Sequence, residues 1–535
     1  MIQKIRILFV FLLLSITFSS CKSLREDDKP ARPNIIVFLA DDLGYGDLGC
    51  YGNPIIKTPA IDKFADEGVR LTDCHSAGTV CSPSRAGLLT GRNPYRSGFY
   101  YIAGSSGCYL LEEEITLAEL LKTGGYETSF FGKWHLSRLE KTRRDEPGPG
   151  DQGFDYWFAT THNAFGGPEN CRKFIRNGEP AGEVKGWYCD VLVEEAAHWL
   201  TEVRDKEKPF FLMVATHEPH IPIAPPEKYS SVYDNQEVNN LEKSIRYGGV
   251  SRPDKDLSEN KKEYYGTVTQ LDNAFSDLLS IVEEENLNDN TLIIFTSDNG
   301  PEHPVNLEES KGEWDDPIRE YCFGTPGILR GMKRYPYEGG HRVPGIVRWP
   351  AEIPAGSISD KLINATDFAP TLCQLAGVNM PSDRQIDGTN AFHAFLGGGI
   401  YAFLGNKVER EKPCLWIFPT HEDTYFRMPH MAMRDGDYTI VGWFPEKGED
   451  GSLVDWMKSS VPETFALYNT HTDPGQKEDI SEKEPDKLKE LIPKMNELWV
   501  EIRDEGPDWK KIIKKNENAQ IIFTHSADYY HIMQF

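Results

Sequence analysis

Cys81 opens the most chemically informative stretch of this sequence, Cys81-Ser-Pro-Ser-Arg-Ala-Gly-Leu-Leu-Thr-Gly-Arg92. A cysteine in a Ser/Pro turn before a short helix, with Arg85 one turn on, can be a low-pKa thiolate nucleophile or an inert buried thiol. Asp41-Asp42 and Asp298-Asn299 each follow an apolar, β-rich run, Asn34–Ala40 and Thr291–Thr296. Such groups either cap turns and helices or ligate a hard cation. An all-oxygen set suits Ca²⁺ better than Zn²⁺, which prefers nitrogen and sulfur. His135 and Lys133 lie in GKWHL, His217 and His220 in HEPHIP, and His162 just past YWFATT. Each histidine is either a working group or a hydrogen-bonded structural one. Lysines such as Lys133 and Lys333 are ordinarily solvated surface groups, so only their position singles them out.

These residues are far apart in sequence, so the fold must bring them together. Helical patterns over Thr58–Gly68, Ile115–Thr123, Val191–Val203 and Tyr264–Glu285 alternate with strand patterns at Asn34–Ala40, Thr128–Phe131, Phe210–Ala215 and Thr291–Thr296. That alternation predicts an α/β fold, a large mostly parallel sheet sandwiched by helices. Ligands of such sheets bind at the carboxyl ends of the strands, where Asp41-Asp42, His217/His220 and Asp298-Asn299 all stand. The pattern changes near residue 390. Ala432–Trp443 reads as two strands around an Asp435-Gly436 turn, Phe465–Asn469 as another strand and Asp486–Arg503 as a helix. The expected organisation is a catalytic domain over 33–390 and a smaller C-terminal α+β domain with an antiparallel sheet over 391–535.

Composition narrows the classes of function. Of 535 residues, 39% are hydrophobic, enough for a large core, so the chain is not disordered. Asp and Glu number 83 against 58 Lys and Arg, a formal net charge of −25. That excludes a protein that coats nucleic acid, yet permits an anionic small substrate in a locally basic pocket. The first 20 residues have a basic start and an apolar run from Ile7 to Phe18, too short to span a bilayer, and read as an export signal. Cys21 directly after them resembles a bacterial lipoprotein cleavage site. The expectation is an exported protein, in the periplasm or at the cell surface, lipid-anchored at Cys21 with residues 21–32 as a tether. Export permits disulfides, and Cys171 and Cys189, which bracket a short polar segment, are the first candidates for a pair.

The Cys81–Arg92 segment matches the C-x-P-S-R-x-x-x-L-T-G-R signature of the type I sulfatases of the alkaline phosphatase superfamily. PNIIVFLADDLGYGDLGCYG, GKWHL, HEPHIP, SDNGP, LRGMKRYPYEGGHRVP and LYNTHTDP follow in the family's order, so the resemblance runs from about Pro33 to Arg503. Met332 and Pro336 depart slightly from the family's pattern near its lysine. The resemblance implies that a dedicated maturation enzyme converts Cys81 to formylglycine (3-oxoalanine). It implies that Asp41, Asp42, Asp298, Asn299 and the hydrated residue 81 hold Ca²⁺. One hydroxyl of that hydrate would attack sulfur, helped by Asp298. Arg85 would orient the hydrate, and Lys133 and Lys333 would bind sulfate oxygens. His220 would protonate the leaving oxygen. His135 would take the proton of the second hydroxyl, collapsing the covalent sulfo-enzyme. His217 and His162 are further candidates for substrate contact, and His341 reads as structural.

The implied activity is hydrolysis of sulfate monoesters, on sulfated carbohydrates and at a chain end, with small aryl sulfates as a side reaction. Two alternatives carry different chemistry. One is a phosphodiesterase or phosphonate monoester hydrolase of the same superfamily; the other is a non-catalytic surface lipoprotein that binds sulfated glycans.

Overall fold

Every residue of Asn34–Ala40 after the first is buried, so both faces of this strand need cover. Ile36 and Phe38 pack on one side with Leu271, Phe275 and Leu278 of the long Ser258–Glu284 helix. Ile35, Val37 and Leu39 pack on the other with Leu88, Leu121 and Leu372. Those come from the helices Cys81–Thr90, Leu117–Thr123 and Phe368–Ala376. Each such fully buried side chain contributes about 1.5–3 kcal/mol. The Leu117–Thr123 helix begins in a capping box, in which Thr116 and Glu119 each satisfy the other's backbone amide.

The structure, a computed structural model, describes residues 32–103, 108–139, 146–234, 258–302, 322–397, 408–418, 428–448, 453–509 and 511–512. The expected export signal, the Cys21 anchor and nearly all of the tether lie outside these residues. No helix among the described residues is long and apolar enough to cross a membrane.

Ten strands form the large sheet, in the order Ser357–Ser359, Val69–Leu71, Gly345–Arg348, Thr291–Ser297, Asn34–Ala40, Phe210–Ala215, Glu127–Lys133, Tyr156–Thr160, Ile175–Arg176, Glu179–Pro180. The five strands from Thr291–Ser297 to Tyr156–Thr160 are parallel throughout. The flanks are mixed: Gly345–Arg348 is antiparallel to both neighbours, and the two strands beyond Tyr156–Thr160 form an antiparallel ribbon. A smaller sheet pairs Cys414–Ile417, Met431–Asp435, Tyr438–Trp443 and Thr464–Asn469 in antiparallel order. Its hairpin turns at Gly436-Asp437, one residue beyond the expected position, with Gly436 at φ 59°. The Pro485–Glu505 helix packs Leu491, Met495 and Trp499 into the same core as this sheet.

Register is what builds the rim. Ala40 pairs with Ser297, Leu39 with Ala215, and Gly132 with Ala215, so four strands end level with one another. The residues that follow them, Asp41, Asp298, Thr216 and Lys133, therefore emerge side by side. Gly132 has φ 111°, and a Cβ there would lie 2.0 Å from the Ala215 carbonyl oxygen. Only glycine allows the strand carrying Lys133 to approach that closely.

The smaller sheet is joined to the segment before Cys81. Trp416 donates from Nε1 to the Ser76 carbonyl at 2.7 Å and stacks on His341 at 3.8 Å between centroids. His341 Nδ1 is 2.9 Å from His75 Nδ1, and His75 Nε2 is 2.9 Å from Asp73. His341 thus has the structural setting that its sequence context suggested. The nine described cysteines are all free thiols. The expected Cys171–Cys189 pair does not form. Cys189 Sγ lies 3.6 Å from Asp190 in the first turn of the Tyr188–His198 helix, whereas Cys171 Sγ faces the Arg172 carbonyl.

Asp47 secures the loop after Asp41-Asp42, accepting from Gly44 N at 2.7 Å, Thr325 N at 2.8 Å and the Tyr264 hydroxyl at 2.8 Å. Burial pushes its pKa up to about 7, and these three donors only partly offset that. Asp47→Ala should lower unfolding free energy by about 2–4 kcal/mol in chemical denaturation, because two buried amides lose their acceptor. The folded-state pKa is raised, so the wild-type carboxyl contributes most below the ordinary carboxylate range and loses that contribution as pH rises toward 7. The destabilisation should therefore be larger at acidic than at neutral pH.

Candidate active site

Cys81 is the first residue of its helix and is buried. Its Sγ lies 3.3 Å from Asp41 Oδ1, 4.0 Å from Asp42 Oδ1 and 3.5 Å from Lys133 Nζ. Arg85, one turn on, donates from Nε and Nη2 to Asp298 Oδ2 at 2.9 and 2.8 Å and from Nη1 to the Lys133 carbonyl at 2.5 Å. Lys133 also donates to Asp41 Oδ2, and Lys333 donates to Asp42 Oδ2 at 2.7 Å. Asn299 donates from Nδ2 to Asp42 Oδ1 at 2.7 Å. The fold thus brings Asp41, Asp42, Cys81, Arg85, Lys133, Asp298, Asn299 and Lys333 into one buried cluster.

The charges in this cluster are balanced rather than solvated. Burial drives the carboxyl pKa of Asp42 and Asp298 upward, and the neighbouring lysines and Arg85 pull it back. Burial, then Asp298 and Asp41, hold the Cys81 thiol well above the ordinary cysteine range. An unmodified Cys81 is therefore a protonated thiol, the opposite of the low-pKa nucleophile that its helix position permits. Asp42 at φ 63°, His135 at φ 54° and Arg334 at φ 77° are all non-glycine residues in the left-handed region. Each costs on the order of 1–2 kcal/mol, strain of the kind that collects at functional sites.

The donor set fits a hard divalent cation. Oxygens of Asp41 and Asp42, Cys81 Sγ and a His220 nitrogen lie within 4.8 Å of one another. Asn299 Oδ1 is buried and has no hydrogen-bond partner among the described residues. A buried amide oxygen beside three carboxylates suits a hard cation as a further ligand.

The histidines divide by their partners. His220 has Nδ1 2.5 Å from the Ile221 carbonyl, so Nδ1–H donates there and Nε2 is turned to Asp42 at 3.5 Å. Burial, then the charges of Lys333 and Lys133, push its pKa well below the usual histidine value. His135 is held low by burial and then by Lys133, and its Nδ1 has no partner among the described residues. His217 has both ring nitrogens on the backbone: Ala164 N donates to Nδ1 at 3.3 Å, and Nε2 meets the Pro222 carbonyl at 3.2 Å. Its pKa is pushed down to about 3, chiefly by burial. His217 therefore has no ring nitrogen left for a ligand and instead anchors the segment around Ala164 next to His220. His162 is exposed, with its ring 6.5 Å from that of His135.

Sequence reasoning missed Glu302. This residue is buried, with Oε2 3.2 Å from Lys333 Nζ and Oε1 on Arg334. Its position two residues past the SDNG turn was the signal. Glu218, inside HEPHIP, was also overlooked; it accepts from Cys189 N at 3.0 Å, and burial raises its pKa to about 7.

Comparison with known proteins adds an independent line. The sulfatase family model matches residues 33–378, and a model described as N-sulphoglucosamine sulphohydrolase, C-terminal, matches residues 331–505. The chain is 33% identical over 403 residues to N-acetylgalactosamine-6-sulfatase of Canis lupus familiaris, covering 71% of this chain and 69% of that one. It is 31% identical over 478 residues to arylsulfatase A of Homo sapiens, covering 83% and 82%. The crystal structure of Ps i-CgsB with k-i-k-neocarrahexaose is similar in fold, with a TM-score of 0.67 at 23% identity, over 93% of this chain and 99% of that chain.

The Arg85–Asp298 pair gives a direct test of the cluster. Arg85 is 2% exposed, so Asp298→Asn leaves a buried guanidinium without its main counter-charge. Unfolding in the presence of a chelator should show a loss of about 3–5 kcal/mol.

Proposed function

This chain belongs to the sulfatase family, and from that premise we propose that it removes sulfate from sulfated carbohydrates, using a formylglycine at position 81 and a bound calcium ion. The observation that carries this reading is the position of Cys81 Sγ, between Asp41 at 3.3 Å and Lys133 at 3.5 Å in a pocket that also holds Arg85 and Lys333. Sγ marks the place of the nucleophilic atom. The carbohydrate substrate class is supported by the similarity to N-acetylgalactosamine-6-sulfatase and by the wider family match.

The ion would be held by Asp41, Asp42, Asp298 and Asn299. When bound, it and the hydrated aldehyde supply charge neutralisation and an oxygen nucleophile. Lys133 and Lys333 hold the sulfate oxygens and offset their charge. Arg85, fixed by Asp298, orients residue 81. His220 keeps Nδ1–H on the Ile221 carbonyl, which leaves Nε2 to pass a proton to the departing sugar oxygen. An adjacent sulfate anion raises the pKa of this histidine and favours that protonated form. His135 is neutral at neutral pH and can accept a proton, which suits a base. The N-terminal sequence supports export and lipid attachment at Cys21, which would place the enzyme where extracellular polysaccharide fragments arrive.

Cys81→Ala should reduce sulfate release roughly 10⁴-fold or more while leaving the fold nearly intact and calcium still held by Asp41, Asp42, Asp298 and Asn299. Mass spectrometry of the residue-81 peptide should show the aldehyde in the matured wild type. Near-native turnover in the variant would overturn the assignment, and so would a strong preference for aryl phosphate over aryl sulfate.

The pH profile is a separate test. His135 is shifted down from 6.5, so it stays neutral below that value, and bound cations push it further the same way. The acid limb of kcat/KM should therefore lie below pH 6.5. A fall in kcat/KM centred at or above that value would contradict a basic role for His135.

A further inference from the structure

The segment after Tyr156–Thr160 leaves the sheet beside the strand that carries Lys133. Its inner side belongs to the pocket wall, through the Ala164 N to His217 hydrogen bond and through His162 near His135. Its outer side is built differently. Phe165, partly exposed, forms an isolated antiparallel bridge with Arg172, whose amide donates to the Phe165 carbonyl at 2.9 Å. The Arg172 guanidinium lies 5.2 Å and the Lys173 ammonium 3.7 Å from the centroid of the Phe165 ring.

Three features of this group point to an anion. Both cations are exposed, and no carboxylate among the described residues lies within ion-pair distance of either. The aromatic ring holds the cations in place without neutralising them, as a salt bridge would. Lys173 also has φ 68°, a left-handed conformation that a β-carbon disfavours, so its position is maintained against a conformational cost.

We propose that Phe165, Arg172 and Lys173 form a second anion subsite at the rim, which takes a carboxylate or a further sulfate on the sugar next to the one being desulfated. This inference rests on the carbohydrate sulfatase reading. The charges select the anion, and the ring holds the two side chains together on the segment that also meets His217 and His135.

The test compares wild type with the double variant Arg172→Ala/Lys173→Ala on four probes. These are a sulfated hexosamine and its disaccharides with a neutral hexose, with a uronic acid and with a sulfated hexose. The ratio of kcat/KM for an anionic disaccharide to that for the neutral one should fall about tenfold in the variant, mostly through KM. Its dependence on ionic strength should weaken. The conservative Lys173→Arg should retain most of the preference. The uronate and disulfated arms tell which anion the subsite takes. An unchanged ratio, or an equal loss on all four probes, would overturn the proposal. If wild type releases sulfate from none of them, the carbohydrate reading fails. Calorimetric binding of the same disaccharides to Cys81→Ala, with and without the double substitution, then still decides the subsite.

Discussion

Asp41, Asp42 and Asp298 are buried together, and every feature around them answers the cost of that burial. An ionised carboxylate taken out of water is several kcal/mol less stable unless charge and hydrogen bonds replace the solvent. Lys133, Lys333 and Arg85 supply the charge, each within direct contact of one carboxylate. Backbone amides supply more, as where Asp42 N donates to Asp298 Oδ1 at 3.3 Å. Because the carboxylates and their partners together come from five separate chain segments, the cluster is held only when the strands end level. The close approach at Gly132 and the strained backbone at Asp42 and His135 serve the same alignment.

The C-terminal sheet is part of this alignment. Trp416 reaches across to the Ser76 carbonyl, and Arg434 and Arg342 flank the buried carboxylates Asp73 and Glu338. The group His75, Glu338 and His341, with Asp73 alongside, also has metal-like proximity among its first three members. The two guanidinium groups beside its carboxylates already balance their charge, so a cation there would be opposed. Arg92 and Arg96 tie the turn after the Cys81 helix to Glu505 at the end of the Pro485–Glu505 helix. The segment bearing Cys81 is therefore fixed at both ends by C-terminal residues. A free-standing loop would not hold residue 81 within tenths of an ångström of its partners.

The net charge of −25 and an anionic substrate are compatible because electrostatics at short range is local. Buried cations beside Cys81 act in a low-dielectric setting, while surface carboxylates beyond a Debye length of about 8 Å are largely screened. The acidic surface disfavours long polyanions in general. A single sulfate group experiences the pocket instead.

The central parallel strands, the motif residues and their chemistry were legible in the sequence, whereas flanking strands such as Val69–Leu71, Gly345–Arg348 and Ser357–Ser359 were not. Asn34–Ala40 and Phe210–Ala215 are readable because a strand buried on both faces is a continuous apolar run. Asp41, Asp42, Asp298 and Asn299 were visible because carboxylates at the ends of such runs are conspicuous, and the Cys81–Arg92 signature named their company. Tertiary structure decided everything that depends on partners from elsewhere in the chain. His217 and His220 look alike in HEPHIP, yet the Ala164 amide and the Pro222 carbonyl occupy both nitrogens of one, while the other keeps Nε2 turned to the carboxylates. Glu302 matters only because the chain returns Lys333 to it. Cys171 and Cys189 bracket a plausible loop but have different neighbours, so spacing could not reveal that they stay apart. Composition and periodicity report what each residue can bury or donate; only the folded chain fixes which atom faces which, and at these distances that sets both protonation and reactivity.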